Sequence, residues 1–252
     1  MLIGSMNNPN DNLLKEVKRV VRNFDFLDLT LEMPQARPEK VNINVLKKII
    51  GKTPVVGHTA WYLPIGSPLK ELRLYALDEL EKCAETFEKL SVKIFNVHFD
   101  TSFEIIDHKN IIEFNLWSLK RLVSTARKRG LNVMAENTPG LFSSPDVLEK
   151  VFKKIPKLYL HLDVAHANVG RKNTTPQLVR RFSKRIEHIH ISDNHGKEDE
   201  HLPLGKGSID WNAMLGVIKK SGYDKTITLE VFTNAKDCLV DKSKLRKMWD
   251  KL

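Results

Sequence analysis

Along the whole chain, short runs of alternating apolar and polar residues are separated by longer stretches whose apolar residues recur at helical spacing. The short runs predict strands at 2–6, 26–32, 54–60, 92–99, 132–136, 158–164, 186–192 and 226–231. The longer stretches predict helices at 11–23, 42–50, 68–89, 110–129, 144–153, 175–184, 211–221 and 237–251. Strands and helices that take turns in this way call for parallel strands joined by right-handed crossovers.

Two architectures satisfy that order, and the strand interiors choose between them. Asp28, Thr30 and Glu32 alternate with Leu29 and Leu31, and Thr226, Thr228 and Glu230 alternate with Ile227 and Leu229. His161 and Asp163 flank Leu162, while His188, His190 and Ser192 flank Ile189 and Ile191. One face of each strand is therefore apolar and the other polar. An open doubly wound sheet buries both faces of its central strands and reads as unbroken Val, Ile and Leu. A closed barrel instead gathers the polar faces inside, where burial is costly unless the groups pair or bind a metal. The pattern predicts a single (β/α)₈ barrel domain over residues 1–252, a length close to the roughly 250 of such barrels.

Composition narrows the setting. Hydrophobic residues at 41% and charged residues at 29% exclude disordered, collagen-like and disulfide-scaffold chains. The net charge of +10 suits a polyanionic partner. Much of that charge falls on predicted helices, as at 15–22 and 180–185, where a solvated outer face accounts for it, so charge argues only weakly for nucleic acid. Cys83 and Cys238 stand far apart and provide neither a disulfide framework nor a thiolate metal knuckle. No apolar run reaches the length of a membrane span, so a cytoplasmic protein without membrane contact is expected. Association between copies is left open.

Barrel active sites lie where strands end. Acids and imidazoles stand at or just after those ends: Glu32 on the second strand, His58 on the third, His98 on the fourth, Glu136 on the fifth, Asp163 and His166 on the sixth, His190 on the seventh and Glu230 on the eighth. The loop after the seventh strand adds Asp199 and His201. Histidine and carboxylate without thiolate describe a site for Zn²⁺, Mn²⁺, Co²⁺ or Mg²⁺. Glu32 and Trp61, with Tyr62 beside it, are candidates to contact substrate; a structural salt bridge at Glu32 and packing at Trp61 are the competing readings. His161 and His188 lie deeper in their strands and read as hydrogen-bonding groups behind the site. His108, in a charged loop, and His195, in a turn, are set aside.

These segments resemble the xylose-isomerase-like barrel superfamily, which contains sugar and sugar-phosphate isomerases and epimerases and also the endonuclease IV class of apurinic-site nucleases. The resemblance rests on Gly57-His58-Thr59-Ala60-Trp61-Tyr62-Leu63, Asn96-Val97-His98, Ala135-Glu136-Asn137-Thr138-Pro139-Gly140, Leu162-Asp163-Val164-Ala165-His166-Ala167, His190-Ile191-Ser192-Asp193-Asn194, the run from Asp199 to Gly207, and Leu229-Glu230-Val231.

In the isomerase and epimerase branch the resemblance implies one divalent ion held by Glu136, Asp163, His190 and Glu230, with Glu136 and Glu230 moving a proton on a sugar or sugar phosphate. In the endonuclease branch it implies three zinc ions on His58, His98, Glu136, Asp163, His166, His190, Asp199, His201 and Glu230, acting on abasic DNA. The nucleases usually follow the fourth-strand histidine with Pro-Gly, where this chain has Phe99 and Asp100. They carry a Cys-His pair where Ala165 and His166 stand here, and the run ending Ser208-Ile209-Asp210-Trp211 looks more like the isomerase group. The expectation is therefore a metal-dependent isomerase or epimerase, with the apurinic endonuclease as the alternative.

Overall fold

The computed structural model describes residues 1–101, 105–170, 172–232 and 235–252. Eight parallel strands pair in chain order and close into a barrel: β1 (Leu2–Met6), β2 (Phe26–Leu31), β3 (Val55–Thr59), β4 (Ile94–His98), β5 (Asn132–Glu136), β6 (Tyr159–Asp163), β7 (Ile186–Ile191) and β8 (Thr226–Leu229). Between and after them run α1 (Leu13–Asn23), α2 (Ile43–Ile50), α3 (Lys70–Lys89), α4 (His108–Lys128), α5 (Pro145–Lys154), α6 (Thr175–Phe182), α7 (Trp211–Lys220) and α8 (Ala235–Lys251). The seam closes where β1 meets β8, pairing Leu2 with Thr226 through to Ser5 with Leu229.

The helices form for local reasons. Asn12, Asn42, Asp107 and Asp210 precede α1, α2, α4 and α7, and each side chain accepts a backbone N–H of the first turn. Such a cap is worth about 1 kcal/mol. On α1, Leu13, Val17 and Val20 fall on one buried face. They join Leu27, Leu29 and Leu31 of β2 in the main core between strands and helices, where burying a side chain of this kind contributes about 1.5–3 kcal/mol.

A second apolar cluster is separate and small. Phe26, Val56 and Met134 are buried together, with Ile94 and Tyr159 packed against them. Phe26, Ile94 and Tyr159 are the first residues of their strands, so this cluster plugs the barrel at its amino-terminal end. Gly4 makes room for it, since a Cβ there would lie 2.4 Å from the Phe26 ring. Above the plug the inward positions become polar. Register sets Asp28 beside Val56, His98 beside Glu136, His161 beside His188 and Asp163 beside His190.

Element boundaries move by a few positions from the sequence expectation, as terminal hydrogen bonds give out. β2 ends at Leu31 and β8 at Leu229, so Glu32 and Glu230 are the first residues beyond their strands. His108, expected in a loop, opens α4, because Asp107 caps that helix; it remains exposed. His166 lies in a short 3₁₀ turn, His166–Asn168, which tightens the exit from β6. Among the described residues no helix is long and apolar enough to cross a membrane.

Candidate active site

The carboxyl ends of the strands surround a cavity of about 480 Å³. Glu32, His58, Trp61, His98, His201 and Glu230 are among its lining residues. Trp61 stands on the rim, 68% exposed, with its ring edge-on to Tyr62. Tyr62 itself lines a neighbouring, smaller depression. Glu32 is buried, and no ion pair is seen for it among the described residues. Burial and the nearby charge of Glu230 raise its pKa, although His98 opposes the shift.

Beneath the cavity, Glu136, Asp163, His190 and Glu230 each offer one ligand atom, and these atoms all lie within 4.8 Å of one another. All four side chains are buried. Three carboxylates this close resist sharing their charge. Burial, reinforced by Glu136 and Glu230, pushes Asp163 up to about 7, while His166 opposes the rise. Glu230, whose burial alone would raise it, is brought down to about 2 by His190 and His201.

Each member is held from behind. Glu136 Oε2 lies 3.0 Å from His98 Nε2 and 3.0 Å from His161 Nδ1, and accepts from Asn96 Nδ2 at 2.8 Å. Burial opposes ionisation of Glu136, but His161 and His98 keep it well below the usual carboxylate range. Asn137 grips the end of β6 twice, donating to Asp163 O and accepting from Asp163 N, both at 2.8 Å. Asp163 Oδ1 accepts from the His166 amide at 2.6 Å. His190 lies between two carboxylates, with Nδ1 3.0 Å from Glu230 Oε2 and Nε2 2.8 Å from Asp28 Oδ2.

The remaining candidates form two further groups. His58, His98 and Glu136 are one, and their ligand atoms also come within 4.8 Å of one another. His58 stacks on His190 with ring centroids 5.5 Å apart. Burial, together with His98 and His190, lowers His58 to about 4, so it is neutral at physiological pH despite Asp28 and Glu136. In the second group, His166 Nε2 and His201 Nε2 each lie 3.0 Å from Asp199 Oδ2. His201 adopts φ +47. Its loop is pinned by buried Asp193, which accepts from the Gly205 amide at 2.7 Å and from Trp211 Nε1 at 2.9 Å.

A divalent ion fits this donor set. Among the described residues, both ring nitrogens of His58, Nδ1 of His98 and His201, Asp163 Oδ2 and Asp199 Oδ1 are buried without a hydrogen-bond partner. Such groups cost roughly 1–3 kcal/mol each when left unsatisfied. They cluster around the buried acids of the barrel mouth, and imidazole with carboxylate is the chemistry of Zn²⁺, Mn²⁺ and Co²⁺ sites.

Sequence reasoning passed over Asp28, Asn96, Asn137 and Asp193. Asp28 stood in plain view as an inward position of an alternating strand. Asn96, Asn137 and Asp193 stood inside the motifs that carry the resemblance, but nothing in the chain assigned them a partner.

With this geometry in hand, the likenesses to known proteins are consistent. An uncharacterized protein of Methanocaldococcus jannaschii is 28% identical over 172 residues, which are 67% of this chain and 66% of that one. A probable endonuclease 4 of Aquifex aeolicus is 28% identical over 196 residues, 67% of this chain and 66% of its own length. The chain thus spans just under two thirds of both relatives. The solved structure of a D-tagatose 3-epimerase-like protein superposes with a TM-score of 0.90 at 23% identity, covering 100% of this chain and 98% of that one, a likeness of fold. The xylose isomerase-like TIM barrel family matches residues 17–248, and the chain belongs to it.

Proposed function

We propose that the protein is a divalent-metal-dependent epimerase or isomerase of a sugar or sugar phosphate. The observation that carries this reading is the group of Glu136, Asp163, His190 and Glu230 within 4.8 Å beneath a cavity of about 480 Å³. These four would hold the ion. When bound, it supplies a Lewis acid that polarises a substrate carbonyl and its neighbouring hydroxyl. Glu230 and Glu136 act on the carbon next to that carbonyl: one carboxylate removes the proton, and the other, after taking one up from solvent, returns it. The close approach of His98 and His161 and the hydrogen bond from Asn96 fix Glu136 for that task, and His190 fixes Glu230. Trp61 and Glu32 border the cavity where the rest of the substrate would lie, Trp61 offering a flat apolar face and Glu32 a hydrogen-bonding group. The superposition on a D-tagatose 3-epimerase-like protein supports the reading at the level of fold.

The test is solvent exchange. Metal-loaded protein incubated with ketoses and their phosphates in deuterium oxide should incorporate deuterium at one carbon next to the carbonyl and form the epimer or isomer. Absence of exchange across a panel of such substrates, in protein shown to hold metal, would sink this reading.

A specific observation favours a second reading. His58, His98, His166, Asp199 and His201 would supply donors for two further ions, and neither ring nitrogen of His58 has a hydrogen-bond partner among the described residues. With three zinc ions the site would suit hydrolysis of a phosphodiester beside an abasic sugar, and a probable endonuclease 4 is among the relatives. Three zinc ions per chain together with cleavage of an abasic duplex would replace the first reading by this one.

A further inference from the structure

Asp28 is fully buried inside the barrel, on the side of His190 away from Glu230. Its Oδ2 lies 2.8 Å from His190 Nε2 and 3.1 Å from His188 Nε2, and it accepts from Thr228 Oγ1 at 2.8 Å. An ionised carboxylate can only accept hydrogen bonds. Both histidines must therefore carry a proton on Nε2. By the same rule His190 Nδ1, 3.0 Å from Glu230 Oε2, donates to that carboxylate here. Because Glu230 belongs to the candidate metal group, it is Nδ1 that can give up its proton and offer a lone pair to an ion, while Nε2 keeps its proton on Asp28. For His188, Nδ1 lies 2.7 Å from Thr226 Oγ1 and accepts its hydroxyl proton, so this ring is occupied at both ends and does not compete as a ligand.

We propose that Asp28 is a positioning residue that selects the tautomer of His190 and fixes its ring, so that Nδ1 faces the divalent ion. The inference rests on the reading that Glu136, Asp163, His190 and Glu230 hold such an ion. Its physical logic is that a carboxylate behind a ligating imidazole removes the choice of tautomer and makes the free nitrogen a better electron donor. The other strand interiors supply no substitute. Thr228 can turn its hydroxyl, and His188 is itself held by Thr226 and Asp28.

The first test uses the unsubstituted protein, labelled with nitrogen-15 at histidine and loaded with Zn²⁺. Long-range proton–nitrogen spectra should show His190 protonated at Nε2 and metal-bound at Nδ1. Metal at Nε2 would overturn the assignment of Asp28 while leaving the metal site itself intact. If neither Zn²⁺ nor Co²⁺ binds, the reading of the four-residue site fails and takes this inference with it, so the two failures are distinct.

The second test is Asp28→Asn, which keeps the size and one acceptor oxygen but removes the charge. Competition with a chelator should show Co²⁺ bound about 10- to 100-fold more weakly. The visible Co²⁺ band should change while the far-ultraviolet circular dichroism stays that of the parent. Parental affinity and an unchanged Co²⁺ band in a folded variant would also overturn the proposal. If Asp28→Asn does not fold, the tautomer measurement decides alone.

Discussion

His98 and Glu136 are register partners on neighbouring strands, and His98 Nε2 lies 3.0 Å from Glu136 Oε2. The pair shows how the barrel builds its centre. Parallel register brings one inward residue beside another, so most of the polar mouth is assembled strand by strand, and the loop after β7 adds Asp199 and His201.

Glu230 tests the proton-transfer reading. Glu230→Gln keeps the shape of the side chain and an acceptor oxygen but removes the base. Deuterium exchange at the substrate carbon should fall by about 10²- to 10⁴-fold, the usual contribution of a positioned acid or base. Thermal unfolding of the metal-loaded variant should show that it is still folded. Exchange at the parental rate would take Glu230 out of that role.

His58→Leu separates the two readings of the metal count. In metal-free protein the substitution removes a neutral imidazole with two unsatisfied nitrogens, so unfolding free energy should stay level or rise by about 1 kcal/mol. If the protein holds one ion on Glu136, Asp163, His190 and Glu230, metal content per chain should be unchanged. Loss of an ion in elemental analysis would mark His58 as a ligand and favour the three-ion arrangement.

Removing metal should lower stability more than it alters structure. An ion that binds the folded chain alone, at a hundred times its dissociation constant, adds about 2.7 kcal/mol. For a chain of this size each kcal/mol moves the unfolding midpoint by about 2–4 °C. Dialysis against chelator should therefore lower Tm by several degrees, and returning Mn²⁺, Co²⁺ or Zn²⁺ should restore it. A Tm insensitive to chelation and to added ions would count against a resident metal.

Asp25 provides a pH-dependent clasp at the barrel seam. It accepts from the Ile3 amide at 3.0 Å and pairs with Lys242 at 2.9 Å and Arg246 at 2.7 Å, tying the first strand to the last helix. Burial would raise its pKa, but these three donors together hold it below the ordinary aspartate value. A carboxyl depressed on folding stabilises the protein above its unfolded pKa, and that stability is lost as pH falls through the folded value. Asp25→Asn should therefore cost about 1–2 kcal/mol at pH 7. The gap to the parent should narrow once pH drops below about 4. Denaturant titrations at pH 7, 5 and 3 check this, and a gap that does not change with pH would rule out the charge as its source.

By itself the sequence determined the order of elements, the closed barrel and the mouth residues, because a side-chain period of two is a local property. Leu29 and Leu31 face helices and Asp28 and Thr30 face inward whichever strands stand beside them. The strand-end rule then brought Glu136, Asp163, His190 and Glu230 to one end without any knowledge of distances. Only the tertiary structure decided which inward residues touch. Asp28 meets His190 across 162 residues of chain, and Asn96 meets Glu136 across 40. Those contacts depend on the register of every intervening strand and on closure of β1 against β8, where a shift of one residue in any pair would turn a polar face outward. That is why the residues around the cavity could be read from the chain, while the carboxylate that orients one of them from beneath could not.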